Sequence, residues 1–283
     1  MLRSLFSAIS GLRANQFMLD VTGNNIANAN TSGFKSSSVV FQDTLSQMLT
    51  AGAAPTATTG GTNPIQVGLG VQVGGTSTNF TQGAAQATGK QTNMRIQGDG
   101  FFTVNRNGEN IYTRAGAFDF DSAGNLVTPD GDVVQGYPSD GAGGIDTGGA
   151  PTNITIPELA TNTGTTPLQS YNIGSDGTIT GVYSDGSKKP LFQVALANFS
   201  NPAGLDKIGD TSFRESTNSG TAQIGAPGTG RLGRLSGGEI EMSNVDLASE
   251  FTNLIIAQRG FQATSRVITT SDQVLEELVN LKR

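Results

Sequence analysis

The C-terminal stretch from Ser243 to Arg283 constrains this chain most. It contains no proline, and Leu247, Leu254, Phe261, Ile268 and Leu275 recur every seven residues, the period at which a helix presents one seam to a partner. A helix of about 38 residues would be about 57 Å long, well beyond the usual globular length, so something outside its own turns must bury the stripe. The companion positions four residues on are Phe251, Gln258, Ser265, Asp272 and Val279, apolar only at the two ends. A self-sufficient two-stranded zipper needs both rows apolar, so this helix reads as built to pack into a larger assembly. Ser243-Asn-Val-Asp246 resembles a capping box, with Asp246 and Glu250 near the positive end of the helix and Lys282 and Arg283 near its negative end.

The N-terminus carries a second seam. Leu5, Leu12, Leu19 and Ile26 stand seven apart, interleaved with Leu2, Ile9, Gln16 and Gly23. As at the other end, one row is apolar throughout and the other has a glutamine in mid-helix, Gln16 here and Gln258 there. Two such helices can pair and still leave surface for neighbours. The pattern equally fits two separate helices docked on one core. Asn28, Asn30 and Gly33 then end the helix.

Between the seams the composition changes. Charged residues are 14% of the chain, against about 25% in an average domain, and the 39 glycines cluster with Thr, Ser, Asn and Asp. Val39, Val40, Phe41 and Leu45 suggest a short apolar element, and residues 51–75, rich in Gly, Thr, Ala and Pro, read as flexible or extended linker. From residue 71 to 137, apolar pairs alternate with turn signals at Asn107-Gly108, Ala123-Gly124 and Asp130-Gly131. A second set runs from 154 to 213, with turns at Asp176-Gly177 and Asp185-Gly186. Short strands at this spacing predict a sandwich or partly closed barrel. The fold class expected is α+β: long terminal helices pairing as a coiled-coil-like module, with an inserted mainly-β domain. The expected divisions are a discontinuous helical polymerisation domain at 1–42 plus 236–283, linkers at 43–75 and 216–235, and a β domain at 76–215.

Without cysteine or histidine, disulfides, thiolate and imidazole metal sites and the usual general base are excluded. A net charge of −6 offers no footprint for nucleic acid. No apolar run suits membrane insertion, and the first residues break their hydrophobics with serines and lack a cleavable leader's h-region. Gly228-Thr-Gly230-Arg-Leu-Gly233 matches a dinucleotide pattern but follows a loop rather than a strand. Asp119-Phe-Asp121-Ser-Ala-Gly124-Asn125 resembles a calcium loop but reads better as a hairpin turn. Glu239 and Glu241 flank Ile240 and read as a solvated face of an extended segment. No cofactor, metal or catalytic residue is expected, and the chain does not read as an enzyme.

Motifs in three regions of the chain carry a family resemblance. Asn24-Asn-Ile-Ala-Asn28-Ala-Asn30-Thr-Ser-Gly33-Phe34-Lys35 resembles the N-terminal signature of bacterial flagellar rod and hook proteins. Ser243-Asn-Val-Asp-Leu-Ala-Ser-Glu-Phe251, Ala257-Gln-Arg-Gly-Phe-Gln-Ala263 and Leu278-Val-Asn-Leu-Lys-Arg283 resemble the hook protein more than the rod proteins. Gly98-Asp-Gly-Phe-Phe-Thr-Val104, Tyr112-Thr-Arg-Ala-Gly-Ala-Phe118 and Gly124-Asn-Leu-Val-Thr128 are similar to the family's shared β domain. The resemblance implies a structural subunit of the flagellar hook, a hollow curved tube acting as universal joint between rod and filament, with the distal rod as alternative; a secreted β-rich adhesin is a more remote reading, of a different class. In such proteins the terminal helices form the inner tube and the β domain lies outside, sliding on its linkers as the tube bends. The implied partners are further copies of the chain, the distal rod, the hook cap, the hook–filament junction proteins and the flagellar type III export apparatus. The implied location is the extracellular flagellum, reached without a cleaved signal peptide. The expected subunit interface comprises Leu5, Ile9, Leu12, Gln16, Leu19, Asn24, Asn25, Ile26, Leu247, Phe251, Leu254, Gln258, Phe261, Ile268 and Leu275.

Overall fold

A computed structural model describes residues 2–56, 58, 60–140, 143–158 and 167–281. The chain divides into two compact units, one of residues 1–27, 37–79 and 245–283, the other of residues 28–36 and 80–244.

The first unit is built on two helices, α1 (Leu2–Ala27) and α2 (Leu247–Asn280). Asp246 caps α2, its side chain accepting from the Ala248 amide, which satisfies one of the donors left open by the first turn. The helices run antiparallel. A β-carbon on Gly11 would lie 3.2 Å from Thr264 Cγ2, one on Gly260 would lie 2.6 Å from Asn15 Oδ1, and Asn25 bonds Glu250 at 3.0 Å.

Residues 43–75 do not run as a featureless linker. Residues 43–50 and 65–75 belong to an antiparallel ribbon in which β1 (Ser37–Asp43) pairs with β4 (Val71–Thr78), and β2 (Ser46–Thr50) with β3 (Ile65–Gly68). Alternation of Val, Phe, Met and Ile with polar residues supports extended pairing there, a signal that the Gly/Thr/Pro-rich tip at 51–64 obscures. The base of the ribbon rests on α1. The Val71 amide donates to Ser10 Oγ at 3.2 Å, and Gly70, at φ +126°, passes so close that a β-carbon would sit 2.2 Å from the same oxygen.

The second unit is the β domain, and its pairings are all antiparallel. Its main sheet runs β13 (Leu168–Ile173), β14 (Thr178–Tyr183), β15 (Lys188–Val194), β11 (Val133–Pro138), β7 (Phe101–Arg106), β8 (Glu109–Thr113), β18 (Ser212–Arg214) and β17 (Asp206–Gly209). Shorter strands β9 (Asp119–Phe120), β10 (Leu126–Val127), β12 (Thr152–Asn153), β16 (Leu196–Asn198) and β19 (Gln223–Gly225) join this sheet, and the separate pairs β5–β21 (Ala85–Ala87 with Glu239–Glu241) and β6–β20 (Met94–Gln97 with Arg234–Gly237) complete the unit. Strand β7 shows why. Successive side chains point to opposite faces, so Phe102 and Val104 enter a core with Met94, Phe118, Leu126 and Leu196, while Phe101 enters a second with Tyr112, Phe199 and Phe213. A strand covered on both sides reads as an unbroken apolar run rather than an alternation. Asn107-Gly108 turns β7 into β8 with φ of 55° and 90°, the pair of positive values that a two-residue hairpin demands. Residues 216–235, expected as the second linker, contain β19 and the start of β20 and lie within this unit.

Candidate functional site

The two helices bring most of the expected interface residues into one seam, but in a different register. Leu5, Leu12, Leu19 and Ile26 of α1 and Leu254, Phe261, Ile268 and Leu275 of α2 are half-buried. The second row lies three residues on, not four. In α1 it is Ala8, Asn15 and Thr22, and in α2 it is Ala257, Thr264 and Ser271, all buried or half-buried. Positions at +3 and +4 flank the same heptad residue on opposite sides, so periodicity alone does not say which side meets the partner. Small residues admit close backbone approach, and their polar atoms are satisfied within their own helix: Asn15 Nδ2 donates to the Gly11 carbonyl at 2.8 Å and Thr264 Oγ1 to the Gly260 carbonyl at 2.9 Å.

Most of the row four residues on faces outward: Ile9, Gln16, Phe251 and Gln258 are exposed, whereas Ser265 is half-buried. Asn24, and Leu247 at the start of α2, are exposed as well. Asn25 is the opposite case. It is 2% exposed, its Oδ1 accepts from the Ser37 amide at 3.0 Å, and its Nδ2 donates to the Ser37 carbonyl at 2.8 Å and to Glu250 Oε1. One amide thus continues the pairing of β1 and ties it to both helices.

The distribution of exposed apolar residues is lopsided. Every exposed large hydrophobic side chain among the described residues lies in the first unit: Phe6, Ile9 and Phe17 on α1, a run from Val40 to Val73 on the ribbon, and a run from Leu247 to Leu281 on α2. Among its described residues the β unit has none. Gathering of exposed apolar side chains on one unit is the feature that marks an interaction surface.

The β unit instead hides a charge cluster that periodicity could not find. Glu241, expected on a solvated face, is wholly buried. Its Oε1 lies 2.7 Å from Lys35 Nζ, and both side chains are 0% exposed. Its Oε2 lies 3.3 Å from Arg114 Nη1, and the Gly83 amide donates to Oε1 at 2.8 Å. Lys35 also donates to the Thr81 carbonyl at 2.8 Å and Arg114 to the Gly98 carbonyl at 2.9 Å. Arg114 further stacks over the Phe101 ring. Burial lowers the pKa of Lys35 and of Arg114, and in each the Glu241 carboxylate opposes that shift. Glu239 is engaged as well, at 3.0 Å from Arg95. Both carboxylates of β21 thus meet cations rather than solvent, and the Gly33 amide donates to the Glu241 carbonyl at 2.8 Å, which holds the segment carrying Lys35 against β21. The only sequence trace of this clamp is that Lys35 closes the N-terminal signature.

The remaining motifs are structural. Asp121 Oδ1 accepts from the amides of Ala123 and Asn125 at 2.9 and 2.7 Å, which makes the 119–125 loop a hairpin turn; hydrogen bonding from Asn125 lowers the Asp121 pKa. Gly228–Gly233 forms turns that lead into β20 rather than into a helix. Among the described residues, no cluster of three acidic groups could hold a metal, and no helix is long and apolar enough to cross a membrane.

Comparison with known proteins gives three family matches in chain order. Residues 5–35 match the flagella basal body rod protein family, residues 95–181 the flagellar hook protein FlgE/F/G D1 domain, and residues 236–281 the C-terminal region of flagellar basal body rod FlgEFG proteins. The flagellar basal-body rod protein FlgG of Bacillus subtilis is 48% identical over 284 aligned residues, covering all of both chains. FlgG of Borreliella burgdorferi is 37% identical over 288, again end to end. The flagellar hook protein FlgE of the same organism is 32% identical, but over 441 aligned positions.

Proposed function

Because this chain belongs to the flagellar hook and basal-body rod protein family, we propose that it is a self-assembling subunit of the distal rod, the straight shaft that carries torque outward to the hook. The observation that carries self-assembly is the confinement of exposed large hydrophobics to the helix-and-ribbon unit. Copies of the chain would cover that surface with one another, through the outward residues Ile9, Gln16, Asn24, Leu247, Phe251 and Gln258, while the half-buried leucine rows hold the helices together as a coiled-coil-like pair. The β unit serves as a separate sandwich-like module with its own two cores. The choice of rod over hook rests on length: rod relatives align end to end with almost no extra positions, whereas hook relatives carry a large additional segment. The hook remains the second reading, favoured by the C-terminal blocks from Ser243 to Arg283. Export through the type III apparatus and contact with hook proteins follow from the same reading. Electron microscopy of the polymer assembled from purified chain tests it: straight tubes are expected, curved tubes would return the assignment to the hook, and a chain that stays monomeric at all concentrations would overturn self-assembly.

A further inference from the structure

The antiparallel register leaves one end of the helix pair ragged. Gly11 faces Thr264, Asn15 faces Gly260 and Asn25 bonds Glu250. Continued at the same pairing, Leu2 lies opposite Gln273, and α2 runs on to Asn280 with no part of α1 beside it. At about 1.5 Å per residue the overhang is about 10 Å long. It carries Val274, Leu278, Val279 and Leu281, the last two 68% and 82% exposed. The opposite end is flush, since α1 stops at Ala27 where α2 begins at Leu247. There α2 exposes Leu247, Phe251 and Ile255, four residues apart and therefore on one face, over a length of about 12 Å.

We propose that the α2 overhang of one copy packs on the Leu247–Phe251–Ile255 stripe of the next, an axial head-to-tail contact that propagates the polymer. Four features favour a second copy as the occupant. The two stripes are apolar, similar in length and at opposite ends of one pair. Packing one on the other brings the negative C-terminal end of α2 beside the positive N-terminal end of the neighbouring α2, the favourable order for helix dipoles. Because the two surfaces differ, the contact is heterologous, and because they lie at opposite ends of the pair each copy is displaced along the helix axis from the last, the arrangement that gives an open filament rather than a closed ring. Nothing in the same helix pair can cover either stripe, since they lie at its two ends. The inference rests on the proposed self-assembly and specifies one of its contacts.

The chain has no cysteine, so a disulfide can be used to test it. Leu278→Cys with Phe251→Cys in one chain cannot close within a copy, being 27 positions apart on a single helix. Oxidised under conditions in which the parent chain forms tubes, this variant is expected to give a ladder of covalent oligomers beyond the dimer. In a second arm, Leu278→Lys and Phe251→Asp are each expected to raise the critical concentration for assembly at least tenfold, and their combination to recover most of that loss. Helical circular dichroism of the free chains should stay unchanged, because both side chains are exposed. Assembly of the cysteine variant without a ladder, or a double charge variant no better than its worse single, would overturn the contact while leaving self-assembly standing. Failure of the parent chain to assemble would instead overturn the reading on which the contact rests.

Discussion

At the residue scale, Glu241 is the most exacting position in the β unit. Its carboxylate is shared between Lys35 and Arg114 with no access to water, and removing one member of a buried ionic cluster typically costs about 3–5 kcal/mol because the remaining charge stays buried. The two possible deletions differ in what they leave behind. Lys35→Met leaves Glu241 paired with Arg114 and the Gly83 amide, whereas Glu241→Gln leaves two cations facing a neutral amide. Glu241→Gln is therefore expected to destabilise the β unit by about 3–5 kcal/mol, and Lys35→Met by less, in urea unfolding followed by tyrosine fluorescence. Equal losses for the two variants would mean that packing rather than charge balance governs the site. The reading of Glu239 and Glu241 as a solvated pair failed because alternation reports which side a residue faces, not what waits there.

At the scale of elements, the segment 28–36 belongs to the β unit although it directly follows α1. It brings Lys35 to Glu241, the Gly33 amide to the Glu241 carbonyl and the Ser36 amide to Asn244 Oδ1 at 2.8 Å. Truncation should therefore show a sharp boundary. A chain lacking residues 1–27 is expected to keep a β unit of full thermal stability, while one lacking 1–36 loses the clamp and melts at markedly lower temperature. Identical melting of the two would remove the structural role assigned to the segment. The helices themselves were legible as heptads, including the leucine rows at Leu12 and Leu254. Their true second rows, Ala8–Asn15–Thr22 and Ala257–Thr264–Ser271, were not, because small polar residues carry no hydropathy signal and become seam residues only when a partner helix comes close enough to need them.

At the scale of the whole molecule, the two units can be followed separately. All four tyrosines, Tyr112, Tyr137, Tyr171 and Tyr183, lie in the β unit. Burial raises the pKa of each, with Tyr112 and Tyr183 pushed to about 12, the latter also through its hydrogen bond to Glu158. In the unfolded chain these phenols lose their protons near the ordinary value of about 10, so above that pH the folded state binds more protons than the unfolded one and stability falls as pH rises. Lys35 acts in the opposite sense. Its lowered pKa makes the unfolded state the better proton binder below 10.5, so its contribution rises with pH there and is constant above. The net expectation is a β unit that holds to about pH 10 and is lost between about pH 10 and 12, with tyrosinate absorbance appearing together with loss of the β circular-dichroism signal. Independent titration near pH 10 with the fold intact would refute the burial of the phenols.

What the sequence determined by itself is what periodicity and turn chemistry can encode locally: two long helices from their heptads, a strand-rich centre from paired apolar residues, and hairpins at Asn107-Gly108 and its counterparts from the positive φ they require. Motif blocks such as Asn24–Lys35 added the family. The tertiary structure decided which flank of each helix is the inner one, that β1 to β4 form a ribbon on α1, and that Lys35 and Glu241, 206 positions apart, share one buried site. These outcomes depend on contacts between segments distant in sequence. A side chain's environment there is set by the element that arrives against it, and no local pattern records that arrival.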